Sequence, residues 1–334
     1  MVNKMIKTSG WQNALINAVT EPLKLLEILN LDHSLLDGAR KGAEIFSLKV
    51  PMSFIDRMKK GDPNDPLLRQ VLPLSEELLQ VPGFSPDFLR EKKSNPVPGL
   101  LHKYHGRVLL IFAGSCGINC RFCLRREFPY AENNPGMVGW DKALNYIADD
   151  KTISEVILSG GDPLIATDGA LKTLTQKIAE IPHVERLRVH TRMPIVLPER
   201  VTDELIEWLI GTRLQSIVVM HSNHPNEINA EVKTAMMRLK EAGITLLNHT
   251  VLLKGINDNV NTLVNLSKLL FSCGVLPYYL NVLDKIQGTA HFDLELSSAK
   301  KLYSEFSAQV SGYLLPKLVY EKPGASAKVV LSSL

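Results

Sequence analysis

The chain has 334 residues, 45% hydrophobic and 22% charged, a globular mix with enough apolar surface for a sizeable core. Its 38 Lys and Arg against 35 Asp and Glu leave a net charge of +3, which offers no electrostatic footprint for nucleic acid or an anionic membrane. Four cysteines are too few for a disulfide scaffold. Residues Met1–Lys7 lead into no long apolar stretch of a secretory signal, and no apolar run approaches a membrane span, so a cytoplasmic location is expected.

The length predicts about two domains, or one large α/β domain with an extension. Trp11, Leu15, Ile16 and Val19, then Leu23, Leu26 and Leu29–Leu31, predict two short amphipathic helices broken at Thr20-Glu21-Pro22. Turn-rich stretches follow at Gly61–Pro66 and Ser94–Gly99. Residues 1–105 are therefore expected to form a helical extension with long loops. From Arg107 the pattern becomes strand, loop and helix in repetition. Short β-branched runs occur at Val108–Phe112, Glu155–Leu158, Leu187–His190, Ser216–Met220, Ile244–Val251 and Val275–Val282. Between them lie helical patterns, clearest at 226–242, where Ile228, Val232, Ala235, Leu239 and Ala242 share a face. Alternating units predict a parallel sheet with right-handed crossovers. Six units are too few for a closed eight-unit barrel, so the expected fold is α/β, an open partial (β/α)6 barrel over 106–300 with a short C-terminal segment, 301–334. Its active site belongs at the C-terminal ends of the strands.

Three of the cysteines fall within eight residues, Cys116-Gly-Ile-Asn-Cys120-Arg-Phe-Cys123, directly after the first of these runs. Three thiolates in one loop can bind three irons of a cubane cluster and leave the fourth open to a ligand. The plainer readings fit less well. A dithiol pair at Cys120 and Cys123 leaves Cys116 unexplained, structural zinc lacks a second ligand pair, and a c-type haem would need His where Leu124 stands. Cys273 lies in a predicted helix and is expected to be a small buried hydrophobe. After the second run, Ser159-Gly160-Gly161-Asp162-Pro163 forms a turn whose adjacent glycines allow close backbone approach.

The C-x3-C-x2-C spacing resembles the radical S-adenosylmethionine superfamily. CGINCRFCLRR (116–126), LSGGDPL (158–164), IPHV (181–184), NHPNE (223–227), VLLKGIND (251–258) and SGYLLP (311–316) are similar to the lysine 2,3-aminomutases. FIDRMKKGDPNDPLLRQVLP (54–73) and VPGLLHKYHGR (97–107) look most like the subgroup that supplies (R)-β-lysine for modification of elongation factor P.

This resemblance implies a [4Fe–4S] cluster on Cys116, Cys120 and Cys123, S-adenosylmethionine and pyridoxal 5′-phosphate as cofactors, and lysine as substrate. It implies radical cleavage of S-adenosylmethionine, hydrogen abstraction at C3 of lysine and migration of nitrogen from C2 to C3. Gly160, Gly161 and Asp162 would meet the methionyl amino group and Phe122 the adenine. Lys328, after the Pro323-Gly324 turn, would bond the pyridoxal aldehyde; Ala325-Ser326-Ala327 stands where relatives are often richer in glycine. His221 and Arg107 are candidates for the pyridoxal phosphate neighbourhood, since a phosphate needs cationic or N–H donors. Arg125 would pair with the substrate carboxylate, and Asp284 and Glu321 with its ε-ammonium, Glu321 standing where free-lysine enzymes carry Asp. His249 replaces a Gln near the nucleoside. The longer enzymes' cysteine-bearing C-terminal extension has no counterpart before Leu334, so a structural zinc is not expected. The implied partners are an electron donor such as flavodoxin, elongation factor P and its lysyl ligase. The rival readings are a catabolic aminomutase and a non-enzymatic iron–sulfur or zinc protein.

Overall fold

The computed structural model describes residues 10–133 and 139–331, so the N-terminal stretch Met1–Lys7 considered for a signal lies outside the described residues. The chain opens with helices α1 (Gly10–Ile16), α2 (Pro22–Ile28), α3 (Leu36–Ile45) and α4 (Met52–Ile55). Pro22 stands in the first turn of α2, where its missing N–H costs nothing, and so separates the first two helices where the sequence predicts a break. Strands β1 (Leu100–Tyr104) and β2 (Arg107–Ala113) form an antiparallel pair. After the short α5 (Tyr130–Asn133) the order is α6 (Trp140–Asp149), β3 (Glu155–Gly160), α7 (Asp168–Ala179), β4 (Arg186–Thr191), α8 (Met193–Val196), α9 (Asp203–Ile210), β5 (Gln215–His221), α10 (Ala230–Glu241), β6 (Thr245–Val251), α11 (Val260–Ser272), β7 (Leu276–Asn281), α12 (Leu296–Ser307), β8 (Lys317–Tyr320) and β9 (Val329–Val330).

All nine strands share one sheet in chain order, with β2 to β8 parallel and β9 antiparallel on β8. The six strand–helix units expected from the sequence are β2 through β7. The parallel array extends to a seventh strand, β8, which its four residues after Pro316 hide from any pattern of alternation. Leu100–Tyr104 is likewise a strand at the end of a segment expected to be helices and loops. Its outer residues, Lys103 among them, stay half-exposed, so no β-branched run marks it.

Side-chain caps fix where the outer helices begin. Thr167, Thr202, Asn229 and Asn259 accept backbone N–H groups at the starts of α7, α9, α10 and α11. The helices pack on the outer face of the sheet through a core including Leu158, Leu187, Val189, Val218, Leu239 and Trp208. A second core of Leu25, Leu26, Phe54, Leu67 and Val71 organises the N-terminal segment, and it closes on Ile118 of the cysteine loop and on Val196. The sheet is curled until its ends face each other. Lys103 Nζ on β1 lies 3.2 Å from Glu321 Oε2 just beyond β8, and Tyr104 Oη lies 3.4 Å from the same oxygen. β1 and β9 make no strand pairing with each other among the described residues, so the barrel is closed across this gap by side chains. Among the described residues no helix is long and apolar enough to cross a membrane.

Candidate active site

The cysteine loop leaves the C-terminal end of β2 and is held from several sides. Lys49 Nζ donates to the Cys116 carbonyl at 2.9 Å, and the N–H of Asn119 to the Lys49 carbonyl at 3.0 Å. Arg192, just past β4, donates from Nη1 to Cys120 Sγ at 2.7 Å. Its Nη2 donates to Gln70 Oε1 at 2.7 Å and to Glu227 Oε2 at 2.9 Å. Glu227 in turn accepts from the N–H groups of Asn223 and His224 at 2.8 and 2.9 Å and from Gln70 Nε2 at 3.2 Å. The NHPNE segment is therefore scaffold, and it ties the N-terminal segment, the cysteine loop and two strand ends together. A second buried pair, Arg121 with Glu77, repeats the device one residue along the loop.

The fit to an iron cluster lies in the donor set, three sulfurs on one loop. Burial and the neighbouring Cys123 push Cys116 far up, and burial with Cys120 pushes Cys123 up to about 11. Burial also raises Cys120, with Arg192 pulling the other way. Three thiols crowded together resist ionising unless cations neutralise the thiolates, which iron would do. Cys273 is buried in the outer core, as expected.

Gly160 and Gly161 have a tight local reason to be glycine. A Cβ on Gly161 would stand 2.1 Å from the Ser115 carbonyl oxygen, and one on Gly160, whose φ is +110°, 2.6 Å from that of Ala113. The end of β3 is thus pressed against the root of the cysteine loop, with the Gly161 N–H donating to Ala113 O at 2.7 Å. Asp162 is buried, and burial raises its pKa. Its carboxylate accepts from Thr191 Oγ1 at 2.7 Å and from the N–H groups of Arg192 and Leu164 at 2.7 and 3.0 Å. Its bonds within the chain fasten the ends of β3 and β4. Phe122 packs edge-on to Phe292, ring centres 6.4 Å apart, beside Leu253 and Leu283.

Inside the barrel lies a cavity of about 440 Å³, lined among others by Arg107, Arg125, His190, His249, Glu321 and Lys328. Seven residues of β2 carry the chain from Arg107, which lies over the Tyr104 ring at 4.8 Å, toward the cysteine loop at the other end of the strand. His190, His221 and His249 stand on the adjacent strands β4, β5 and β6, their ring centres 5.1 to 6.0 Å apart. Each has a buried Nε2 without a hydrogen-bond partner. Burial and the surrounding cations hold all three neutral, His221 down to about 4. Three unpartnered imidazole nitrogens next to a cavity are the expected mark of a polar ligand's berth.

Lys328 reaches this cavity because the β8–β9 hairpin folds the tail back over the sheet, turning at Gly324, whose φ of +78° suits glycine. Its Nζ lies 2.9 Å from Glu321 Oε1, 3.0 Å from Asn281 Oδ1 and 5.7 Å from the Tyr279 ring centre. Burial alone would raise Glu321, yet Lys328 and Lys103 hold it down to about 2. Asp284, past the end of β7, is pushed up to about 7 by burial and by Glu321. Arg125 is half-buried and paired with Glu91, Nε to Oε2 at 2.9 Å and Nη2 to Oε1 at 3.0 Å. Of the residues singled out in the sequence, the structure brings Arg107, Arg125, His249, Glu321 and Lys328 to one cavity, and sequence reasoning missed Glu91, Lys103, Arg192 and His190. The last carries a signal, because it ends a predicted strand in register with other inward positions. The others lie in segments whose position opposite the cavity only the fold reveals.

The comparisons with known proteins agree with this arrangement. Residues 110–266 match the family model described as "Radical SAM superfamily". L-lysine 2,3-aminomutase of Escherichia coli is 50% identical over 96% of this chain and 94% of its own length. That of Haemophilus influenzae is 47% identical over 96% and 95%. That of Clostridium subterminale is 34% identical over 96% of this chain but 77% of its own length. Among solved structures, Streptococcus suis SuiB bound to S-adenosylmethionine shares a TM-score of 0.48 and 13% identity over 69% of this chain and 52% of that one, too slight a likeness to carry an argument. The superfamily implies a [4Fe–4S] cluster and S-adenosylmethionine, and lysine 2,3-aminomutases also use pyridoxal phosphate. With its three-cysteine loop, its curled parallel sheet and relatives matching nearly end to end, the chain belongs to the L-lysine 2,3-aminomutase family of radical S-adenosylmethionine isomerases.

Proposed function

We propose that this chain converts (S)-α-lysine to (R)-β-lysine with pyridoxal phosphate bound at Lys328, and that the product serves modification of elongation factor P through a separate ligase. The observation that carries the substrate reading is the division of charge at one cavity, lined by Arg125 and Glu321, with Asp284 electrostatically coupled to Glu321. Arg125 can hold a carboxylate, while Glu321, with Asp284 behind it, can hold an ammonium. Such a set suits lysine and would repel a second carboxylate, as in glutamate.

When bound, the cluster and S-adenosylmethionine supply a 5′-deoxyadenosyl radical, and pyridoxal phosphate supplies a ring that spreads the unpaired spin. Cys116, Cys120 and Cys123 would hold the cluster. The turn at Gly160 and Gly161 lies against that loop and Phe122 is part of it, so S-adenosylmethionine would sit there. Arg107 and the neutral imidazoles of His221 and His249 suit the polar groups of the two organic cofactors. Asn281 and Glu321 fix the position of the Lys328 side chain in the cavity, and its ammonium must give up a proton before it bonds the cofactor aldehyde. The cavity lies inside the barrel, where fixed charges orient the substrate more strongly than they could in solution.

Anaerobic reconstitution with iron, sulfide, S-adenosylmethionine and pyridoxal phosphate, then chiral product analysis with L-lysine, tests the activity. Borohydride reduction and peptide mapping should place the pyridoxyl label on Lys328; a label on Lys322 would overturn that assignment. A strain lacking the gene should carry elongation factor P without a β-lysyl group. Normal modification there would leave a catabolic role instead. An electron donor such as flavodoxin should support turnover in place of dithionite.

A further inference from the structure

Arg125 is not bare in the cavity. Its side-on edge, Nε and Nη2, is taken by both oxygens of Glu91, while Nη1 makes one long hydrogen bond, donating to Ser159 Oγ at 3.4 Å. A guanidinium has five N–H bonds in a planar fork, so the end-on pair of Nη1 and Nη2 keeps one outward N–H each. One arginine can therefore grip a fixed carboxylate along its side and a second carboxylate at its end.

Glu91 is itself fixed. Lys103 Nζ lies 3.3 Å from its Oε1, and its backbone N–H donates to Asp87 Oδ1 at 3.2 Å. Arg90, immediately before it, adopts a left-handed φ of +52°, a conformation costly for a side chain with a Cβ and maintained where the surrounding structure demands it. Burial alone would raise Glu91, but Arg125 and Lys103 hold it below the usual carboxylate range. Lys103 also contacts Glu321, 3.2 Å away, so an unbroken chain of alternating charge runs Arg125–Glu91–Lys103–Glu321–Lys328.

We propose that Glu91 is a positioning and specificity residue, which locks the side-on edge of Arg125 and so presents its end-on edge to the substrate's carboxylate. The inference rests on the reading of Arg125 as the carboxylate's partner. Glu91 stays in place when substrate binds, and it touches neither substrate nor cofactor. Without it the guanidinium would lose its orientation and the substrate would lose a two-point grip.

The test uses reconstituted holoenzyme and anaerobic calorimetry with two probes, L-lysine and L-lysinamide, whose neutral amide replaces the carboxylate. Glu91→Gln should weaken lysine binding about tenfold or more, the scale of losing one charge-assisted hydrogen bond. Lysinamide binding should stay unchanged, so the lysine-to-lysinamide ratio falls. Glu91→Asp, which keeps the charge, should recover most of the ratio. Combined with Arg125→Gln, Glu91→Gln should add nothing. Because the ratio cancels general damage to the site, a destabilised variant remains informative. Tighter lysine binding in Glu91→Gln would show that Glu91 occupies the substrate's place, and equal losses for both probes would show a merely structural role; either overturns the proposal. If Arg125→Gln alone leaves the ratio unchanged, it is the reading of Arg125 that fails.

Discussion

Glu227 should control whether the cluster can be loaded at all. It is fully buried, and its carboxylate receives four donors: the N–H groups of Asn223 and His224, Gln70 Nε2 and Arg192 Nη2. Glu227→Ala leaves Arg192 as an uncompensated buried charge and strands two backbone N–H groups. Breaking a buried ion pair on one side costs about 3–5 kcal/mol, and a typical domain has only about 5–15 kcal/mol to lose. Arg192 also donates to Cys120 Sγ, so the damage reaches the cluster loop directly. Urea unfolding of the metal-free reduced protein should show the destabilisation. Iron and sulfide analysis after anaerobic reconstitution should show under half the parent's cluster content. The exposed Glu199→Ala should change stability by no more than about 0.5 kcal/mol and leave loading intact. If Glu227→Ala unfolds like the parent and binds a full cluster, the network does not carry the role given to it.

Cys116→Ala, Cys120→Ala and Cys123→Ala should each abolish formation of 5′-deoxyadenosine, while Cys273→Ala, whose thiol lies in the outer core, should not; product chromatography decides. Gly161→Ala drives a Cβ against the Ser115 backbone, which cannot step aside, and should cost about 1–3 kcal/mol or more by overpacking. Gly169→Ala in α7, where a Cβ meets nothing, should be neutral or stabilising, and thermal unfolding of the two distinguishes packing from chance. Asp284 must be ionised to hold an ammonium, and burial with Glu321 pushes it up to about 7, so kcat/KM for lysine should rise as pH rises through that value. Asp284→Asn should remove that limb of the profile; an unchanged limb in the variant would place the titration elsewhere.

What was legible in the sequence follows the physics of each element. The six strand–helix units were visible because buried parallel strands carry β-branched runs and the outer helices repeat every three to four residues. The cysteine loop was visible because its three cysteines fall within eight residues. The strands β1 and β8 escaped because one is half-exposed and the other too short to show a pattern. Glu91 and Lys103 escaped for a different reason: their role is long-range. Glu91 meets Arg125 across 34 positions, and Lys103 meets Glu321 across 218, and neither pairing has a local signature. Arg192 is a similar case, placed at a strand end whose neighbour, the cysteine loop, is known only once the strands are ordered.

The same long-range pairs explain how the site tolerates its charge before any ligand arrives. Among the cavity's lining residues, Lys103, Arg107, Arg125, Arg188 and Lys328 are cationic and Glu91, Glu155 and Glu321 acidic, which leaves two positive charges in excess. Most of these groups are already paired: Arg188 with Glu155 at 3.2 Å, Arg125 with Glu91, and Lys103 and Lys328 with Glu321. Pairing spares the fold the cost of isolated buried ions. Arg107 is left facing the Tyr104 ring, and Glu321 is shared between two lysines, so the surplus sits at Arg107 and between Lys103 and Lys328. A phosphate-bearing cofactor would cancel it, and neutral histidines can donate to such a group without adding to it. Lysine then brings one carboxylate and one ammonium, which changes the cavity's total charge very little and gives each end an opposite partner. A substrate with two carboxylates would have to place one of them against Glu321 or Asp284, and the barrel's low polarisability makes that encounter costly. On the proposed assignment, specificity follows from how the charges are divided along the cavity, with Arg125 at one end of the chain of pairs and Glu321 beside Lys328 at the other.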